Sequence, residues 1–295
     1  MSKTVAIFGA TGAQGSPVVT EALARGMNVR AVARNAAKIQ AMHPGVDARE
    51  ASLSNEEAIA AALTGVDAAF LHLPMPQGPD DATLWLTTFL NAAHRVSLPL
   101  LVYTTSGPSG TRYPSSVAIN GGTAGMQAVQ ASGIPSIILQ PAIYLENLKP
   151  ELFLPKLRTE GILDYPPVPE GTKVQWTSHL DQARIAVAAM TRSDLAGNAY
   201  EIGTPDALTK AELAEILTSW VGRSVESTPL TPEDFGQRIG EILGNPGIAF
   251  ILSDLYGALA KLDGDDMTVD TTALENTFDV RLTSVAEHIN RWSKV

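Results

Sequence analysis

The residues Gly9-Ala10-Thr11-Gly12-Ala13-Gln14-Gly15 constrain this chain most, because they stand between a short apolar run, Thr4–Phe8, and the helix-opening pair Ser16-Pro17. Each glycine has a distinct use at a strand–helix junction. Gly9 permits a tight turn, Gly12 lets backbone approach a pyrophosphate with no Cβ in the way, and Gly15 lets the helix pack closely on the strand. The helix start then offers free N–H groups and a positive dipole end to phosphates. The spacing is GxxGxxG rather than GxGxxG, but its strand–turn–helix setting is the one a dinucleotide loop requires. Gly9, Thr11, Gly12, Gln14 and Gly15 are therefore the first candidate cofactor contacts.

The rest of the first half repeats the strand–helix alternation. Strands are expected at Thr4–Phe8, Val29–Val32, Ala68–Leu73, Leu100–Thr104 and Ser136–Leu139, with a weaker one at Val46–Glu50. Most are apolar throughout, as strands buried on both faces are. Helices are expected from Ser16-Pro17 to Gly26, after a capping box Ser54-Asn55-Glu56-Glu57, over Asp81–His94 and over Gly122–Ser132. This alternation predicts an α/β chain with a Rossmann-like, doubly wound parallel sheet.

The pattern changes near residue 148. A short helix is expected at Leu148–Pro155, then a loop with Pro166, Pro167 and Pro169, then a helix from Asp181 to Met190 capped by Asp181. A strand at Ala199–Ile202 follows, and it is expected to return to the first sheet. Thr209-Lys210-Ala211-Glu212 is a capping box, Thr231-Pro232-Glu233-Asp234 opens another helix, and Ser284–Trp292 is the last. The expected division is a dinucleotide-binding domain over 1–148 and a smaller, mainly helical, substrate-capping part over 149–295.

Composition narrows the chemistry. The 295 residues include no cysteine, which excludes disulfides, thiolate metal sites and a cysteine nucleophile. A net charge of −10 argues against binding driven by nucleic-acid or membrane phosphates. The longest apolar run after the first strand, Val66–Leu73, carries Asp67 and His72 and is far short of the ~20 residues of a membrane span. The five histidines show no HxxxH spacing and no carboxylate set has a metal pattern. A soluble, cytoplasmic monomer or homodimer acting on a small molecule is the expectation, with no metal.

Cofactor type is read at the end of the second strand. An NAD site places a carboxylate there for the ribose hydroxyls. Here the segment is Arg30-Ala31-Val32-Ala33-Arg34-Asn35, followed by Lys38. Arg34, 25 positions after Gly9, can pair with a 2′-phosphate through its planar fork. The expected cofactor is NADP(H), held in part by Arg34 and Lys38.

These motifs resemble those of the NmrA-like family of atypical short-chain dehydrogenases/reductases. The resemblance is carried by GATGAQG, VRAVARNAAK, Ala62-Leu63-Thr64-Gly65-Val66-Asp67, Tyr103-Thr104-Thr105-Ser106-Gly107, the stretch SGIPSIILQPAIYLENL from Ser132 to Leu148, and Trp176-Thr177-Ser178-His179-Leu180-Asp181. It covers most of the chain and fades after residue 220. It implies that Leu73 and Pro74 run beside the ribose and nicotinamide, and that Thr105, Tyr144 and Asn147 lie at the same edge. Ser106, Tyr113 and Tyr144 are the candidate catalytic groups.

The superfamily's Tyr-x-x-x-Lys pair is missing: Tyr103, Tyr113 and Tyr144 have Gly107, Val117 and Leu148 four residues later. Gln140 stands where the family commonly has arginine. Two readings follow from the resemblance. One is an NADPH-dependent reductase of a quinone or similarly electrophilic aromatic or carbonyl molecule, which needs alignment more than a strong acid. The other is a non-catalytic NADP(H) sensor that binds a protein partner. An NADP-dependent isomerase or an imine or enone reductase is a further alternative. His72 is a conceivable acid or base, and a packing histidine otherwise.

Overall fold

A computed structural model describes all residues except Met1, Gln77, Pro79, 150–152 and 293–295. Its centre is a sheet of seven parallel strands. The first half of the chain supplies β1 (Thr4–Phe8), α1 (Gly15–Ala24), β2 (Asn28–Ala33), α2 (Ala36–Met42), β3 (Asp47–Glu50), α3 (Glu56–Leu63), β4 (Ala68–His72), α4 (Asp81–Arg95), β5 (Leu101–Thr104), α5 (Val117–Ala131) and β6 (Ser136–Pro141). The second half supplies β7 (Ile143–Tyr144), α6 (Leu157–Glu160), β8 (Ile162–Leu163), β9 (Val174–Thr177), α7 (His179–Ala189), β10 (Ala199–Ile202), β11 (Ala207–Leu208), α8 (Lys210–Val221), β12 (Glu226–Ser227), α9 (Pro232–Leu243), α10 (Pro246–Leu259), α11 (Thr271–Phe278) and α12 (Val285–Asn290).

Strand order in the large sheet is β10-β6-β5-β4-β1-β2-β3. The chain winds outward through β1, β2 and β3, then crosses to β4 on the other side of β1. That reversal opens a crevice above the carboxyl ends of β1 and β4, where such sheets bind ligands. Side chains of β1 alternate between two cores: Val5 and Ile7 join α1 and α7 on one face, Ala6 and Phe8 join α3 and α4 on the other. Both faces are dry, which is why these strands read as continuous apolar runs.

β10 completes the sheet beside β6, pairing Ala199 with Ile138 through Ile202 with Pro141. The remaining part is mainly helical, with seven helices from α6 to α12 among the described residues. It contains a three-stranded sheet β11-β9-β7 and the pair β12-β8, too short to show a period in sequence. Its core is aromatic: Tyr165, Trp176, Phe235 and Tyr256 pack with Leu213, Leu217 and Leu259. In the α9–α10 hairpin, Gly236 and Gly240 lie against Ser253 and Ala249, so close that any Cβ would collide.

Several expected ends move for reasons of capping. Asn55, not Ser54, caps α3, its side chain accepting from the Ala58 amide at 3.1 Å, while the Ser54 hydroxyl turns to Ser52. Helix α5 begins five residues before Gly122, at Val117, because Ser116 caps it through the Ile119 amide. Ser178, not Asp181, caps α7, and Asp181 is the residue whose amide it receives. The expected helix at Leu148–Pro155 falls partly outside the described residues. Its described part is non-helical except for Leu148, the end of a 3-10 turn from Leu145. No helix among the described residues is long and apolar enough to cross a membrane.

Freed from capping, Asp181 ties the C-terminal segment to α7. It is 3% exposed. Its carboxylate accepts from Arg184 Nη1 at 2.8 Å and the Thr283 amide at 2.8 Å, and lies 3.0 Å from His288 Nε2. Replacing Asp181 with Ala would strand these buried donors, a loss of about 3–5 kcal/mol for a broken buried pair. Denaturant unfolding of Asp181→Ala should show that loss. A change under about 1 kcal/mol would contradict the tie, since even a single net hydrogen bond is worth about that much.

Candidate active site

The crevice is built by the glycine loop after β1, the ends of β4 and β5, the segment after β6 and the first turn of α7. Gly9 has φ +74°, and its missing Cβ leaves room for the His72 ring. A methyl group on Gly15 would overlap the Gly9 carbonyl, so α1 starts directly against the loop. The turn is closed by Gly12 N–H to Gly9 O at 2.8 Å and Ser16 N–H to Gly12 O at 3.0 Å. The amides of Ala13, Gln14 and Gly15 have no hydrogen-bond partner among the described residues. The first turn of α1 has no acidic residue and no side-chain cap. An anion is therefore what this helix end lacks.

Arg34 and Lys38 are exposed at the end of β2 and the start of α2, and neither forms an ion pair among the described residues. Asn35 caps α2 through the Lys38 amide at 3.0 Å, which holds this corner in place. The segment Ala33-Arg34-Asn35 at the end of β2 carries no carboxylate. Free amides at the loop and an unpaired guanidinium at the strand end fit NADP(H). When bound, that group supplies a hydride.

Gln14 connects the loop to the rest of the crevice. Its Oε1 receives the Gln182 side-chain amide at 3.1 Å and the Ser106 hydroxyl at 3.4 Å, and lies 3.0 Å from the Tyr144 hydroxyl. The Tyr144 hydroxyl also reaches Gln182 Oε1 at 2.8 Å. Burial pushes the Tyr144 pKa well up, so its proton is held, not released. Ser106 sits at φ +61°, in the left-handed region that costs a serine energy and clusters at functional sites. Thr105 bonds the Gly107 carbonyl at 2.9 Å and shapes the turn.

The candidates thus divide. Gly9, Thr11, Gly12, Gln14, Gly15, Ser106 and Tyr144 gather at one point on the sheet edge. Leu73 packs on the core beneath α4 and Pro74 is exposed beside it. Tyr113 and Asn147 turn into the second core. The Tyr113 hydroxyl receives Arg112 Nη2 at 2.8 Å, and the Asn147 amide donates to the Tyr165 hydroxyl at 2.9 Å. Gln182 and Glu146 escaped the sequence reading. Glu146 accepts the His179 amide at 3.0 Å and lies beside the His179 ring, which packs on Tyr144 with centroids 4.5 Å apart. Only the Glu-Asn pair after Tyr144 hinted at it. His72 is also placed in the crevice, its Nε2 buried without a hydrogen-bond partner and its pKa lowered by burial. No group of three or more metal-ligating side chains occurs among the described residues.

Known proteins resemble this chain in sequence and fold. The NAD(P)H azoreductase of Xenophilus azovorans is 30% identical over 260 residues, 88% of each chain. Quinone oxidoreductase 2 of Escherichia coli is 27% identical over 295 aligned positions, covering 94% of this chain and 99% of that one. Among solved structures, the NADPH-dependent quinone oxidoreductase of Escherichia coli in complex with NADPH superposes with a TM-score of 0.80 at 24% identity, over 97% of this chain and 98% of that chain. The family model named NmrA-like matches residues 1–286, and the chain belongs to the NmrA-like family.

Proposed function

We propose that this chain is an NADPH-dependent reductase of a quinone, azo compound or similarly electrophilic aromatic molecule. The observation that carries the proposal is the pairing of an anion-ready loop with an unpaired Arg34 at the strand end. Gly9, Gly12 and Gly15 let the backbone approach the pyrophosphate, with Thr11 and Gln14 beside it. Arg34 and Lys38 take the 2′-phosphate. Leu73, Pro74 and Thr105 line the path toward the nicotinamide, and Tyr144 and Ser106, oriented through Gln14, position the acceptor.

The protein's part in such chemistry is alignment and exclusion of water. The Gln14–Tyr144–Gln182 hydrogen bonds hold the loop, the sheet edge and α7 in one geometry. The activities named for the azoreductase and quinone oxidoreductase relatives support the acceptor class.

Titrating NADPH and NADH into the apoprotein tests the cofactor. NADPH should bind more tightly, and Arg34→Ala should cost about 1.5–3 kcal/mol toward NADPH, roughly a 10- to 100-fold loss, with little change for NADH. Equal wild-type affinities would remove the role given to Arg34. Assaying NADPH oxidation against quinones, azo dyes, enones and imines tests the reaction. Turnover is expected with quinones or azo dyes. Product without net NADPH consumption would mean an isomerase, and no turnover with any acceptor, together with a partner bound in only one cofactor redox state, would mean a sensor.

A further inference from the structure

His179 and Glu146 have no part in the scheme above, yet they stand at its edge. The His179 ring packs on Tyr144, and its Nδ1 is 3.6 Å from Glu146 Oε2. The other carboxylate oxygen is fixed by the His179 amide. Oε2 is buried and has no hydrogen-bond partner, an uncommitted lone pair aimed at an imidazole. The side chain is mostly buried, 14% exposed, and its Nε2 has no hydrogen-bond partner among the described residues.

Charge is disfavoured on both members. Burial pushes the His179 imidazole down to about 4, helped by Lys149 and His72. Burial lifts the Glu146 carboxyl, against the opposing pull of its backbone hydrogen bonds, His288 and Lys149. Tyr144 faces both and keeps its own proton. A proton taken up by the pair therefore rests on Glu146, next to a neutral imidazole.

We propose that Glu146 and His179 form a relay that protonates the acceptor after hydride transfer; this rests on the reductase reading. A quinone or azo acceptor receives the hydride, with its electron pair, at one end of the reacting π system. The π electrons leave a negative charge on the oxygen or nitrogen at the other end. That atom takes the Nε2 proton of His179, forming an O–H or N–H bond. His179 Nδ1 takes the proton of the Glu146 carboxyl, and the carboxylate regains one from water. The imidazole recovers its starting tautomer by exchange with solvent at its exposed edge. His179 is the donor, and Glu146 acts through it.

Acceptors that differ in their need for a proton separate this from a structural role. A neutral quinone or azo dye needs one, whereas a cationic triphenylmethane dye takes the hydride alone. His179→Asn and Glu146→Gln should each lower the ratio of neutral-acceptor to cationic-dye kcat at least tenfold, the lower side of general acid effects. With the neutral acceptor, wild-type kcat should fall as pH rises through the ionisation of the pair, above the ordinary glutamate value of 4.5. The sign follows from the step, which needs the protonated pair. Both variants should lose that limb and its solvent deuterium isotope effect.

Equal losses on both acceptors would overturn the relay and leave only a packing role. So would a limb that persists in both variants, including the case in which the wild type reduces only the neutral acceptor. A wild type that reduces only the cationic dye would overturn the relay while sparing the reductase reading. A wild type that reduces neither removes that reading itself.

Discussion

The Oε1 atom of Gln14 is where three parts of the chain meet. It joins the glycine loop to Ser106 at the end of β5, to Tyr144 after β6 and to Gln182 in α7. Side-chain networks of this kind are worth more inside a protein than in water, because the low dielectric that strengthens each bond also penalises each unpaired group. Gln14 therefore cannot move without stranding its partners. The loop proposed to receive phosphates and the edge proposed to receive a substrate thus share one position. That coupling suits chemistry in which alignment does most of the work.

Helix α7 is the second half of this coupling. Its first turn carries His179 and Gln182 toward the crevice and Asp181 toward α12, while Ala183, Ile185 and Ala186 bury its other sides against α1. One turn thus sets the crevice wall and anchors the C-terminal segment. The charge distribution is equally local. The protein carries a net charge of −10, yet the glycine loop offers unpaired backbone amides and Arg34 forms no ion pair among the described residues. Net charge governs long-range association, not the composition of one pocket.

Legibility in the sequence followed the physics of each element. The inner strands of the large sheet are largely buried on both sides, so near-continuous apolar runs marked them within a residue or two, whereas the edge strands β3 and β10 are partly exposed and mixed in composition. Helix α10 left no mark, because Ile248, Ala249, Phe250, Ile251 and Leu252 run together without helical spacing. Its place is decided by Gly236 and Gly240 of α9, whose role is visible only once the two helices cross. Strands β7, β8, β11 and β12 have two residues each, below any readable period. The caps of α3 and α7 show the same limit. Ser54 and Asn55, or Ser178 and Asp181, are equally good capping residues by type, and backbone geometry chose between them.

The sequence by itself determined the fold class and pointed to NADP(H), since each rests on residues adjacent in the chain: glycines between a strand and a helix, and an arginine in place of an acid at a strand end. Tertiary structure decided which polar groups act together. Gln14, Tyr144 and Gln182 are separated by 130 and 38 positions, and only the winding of the sheet and the return of α7 bring them within hydrogen-bond reach. The same folding turned Tyr113 and Asn147 into the aromatic core, and set Glu146 against His179 with one oxygen free. Burial there raises the Glu146 carboxyl and lowers the His179 imidazole, a shift that belongs to surroundings and not to residue type.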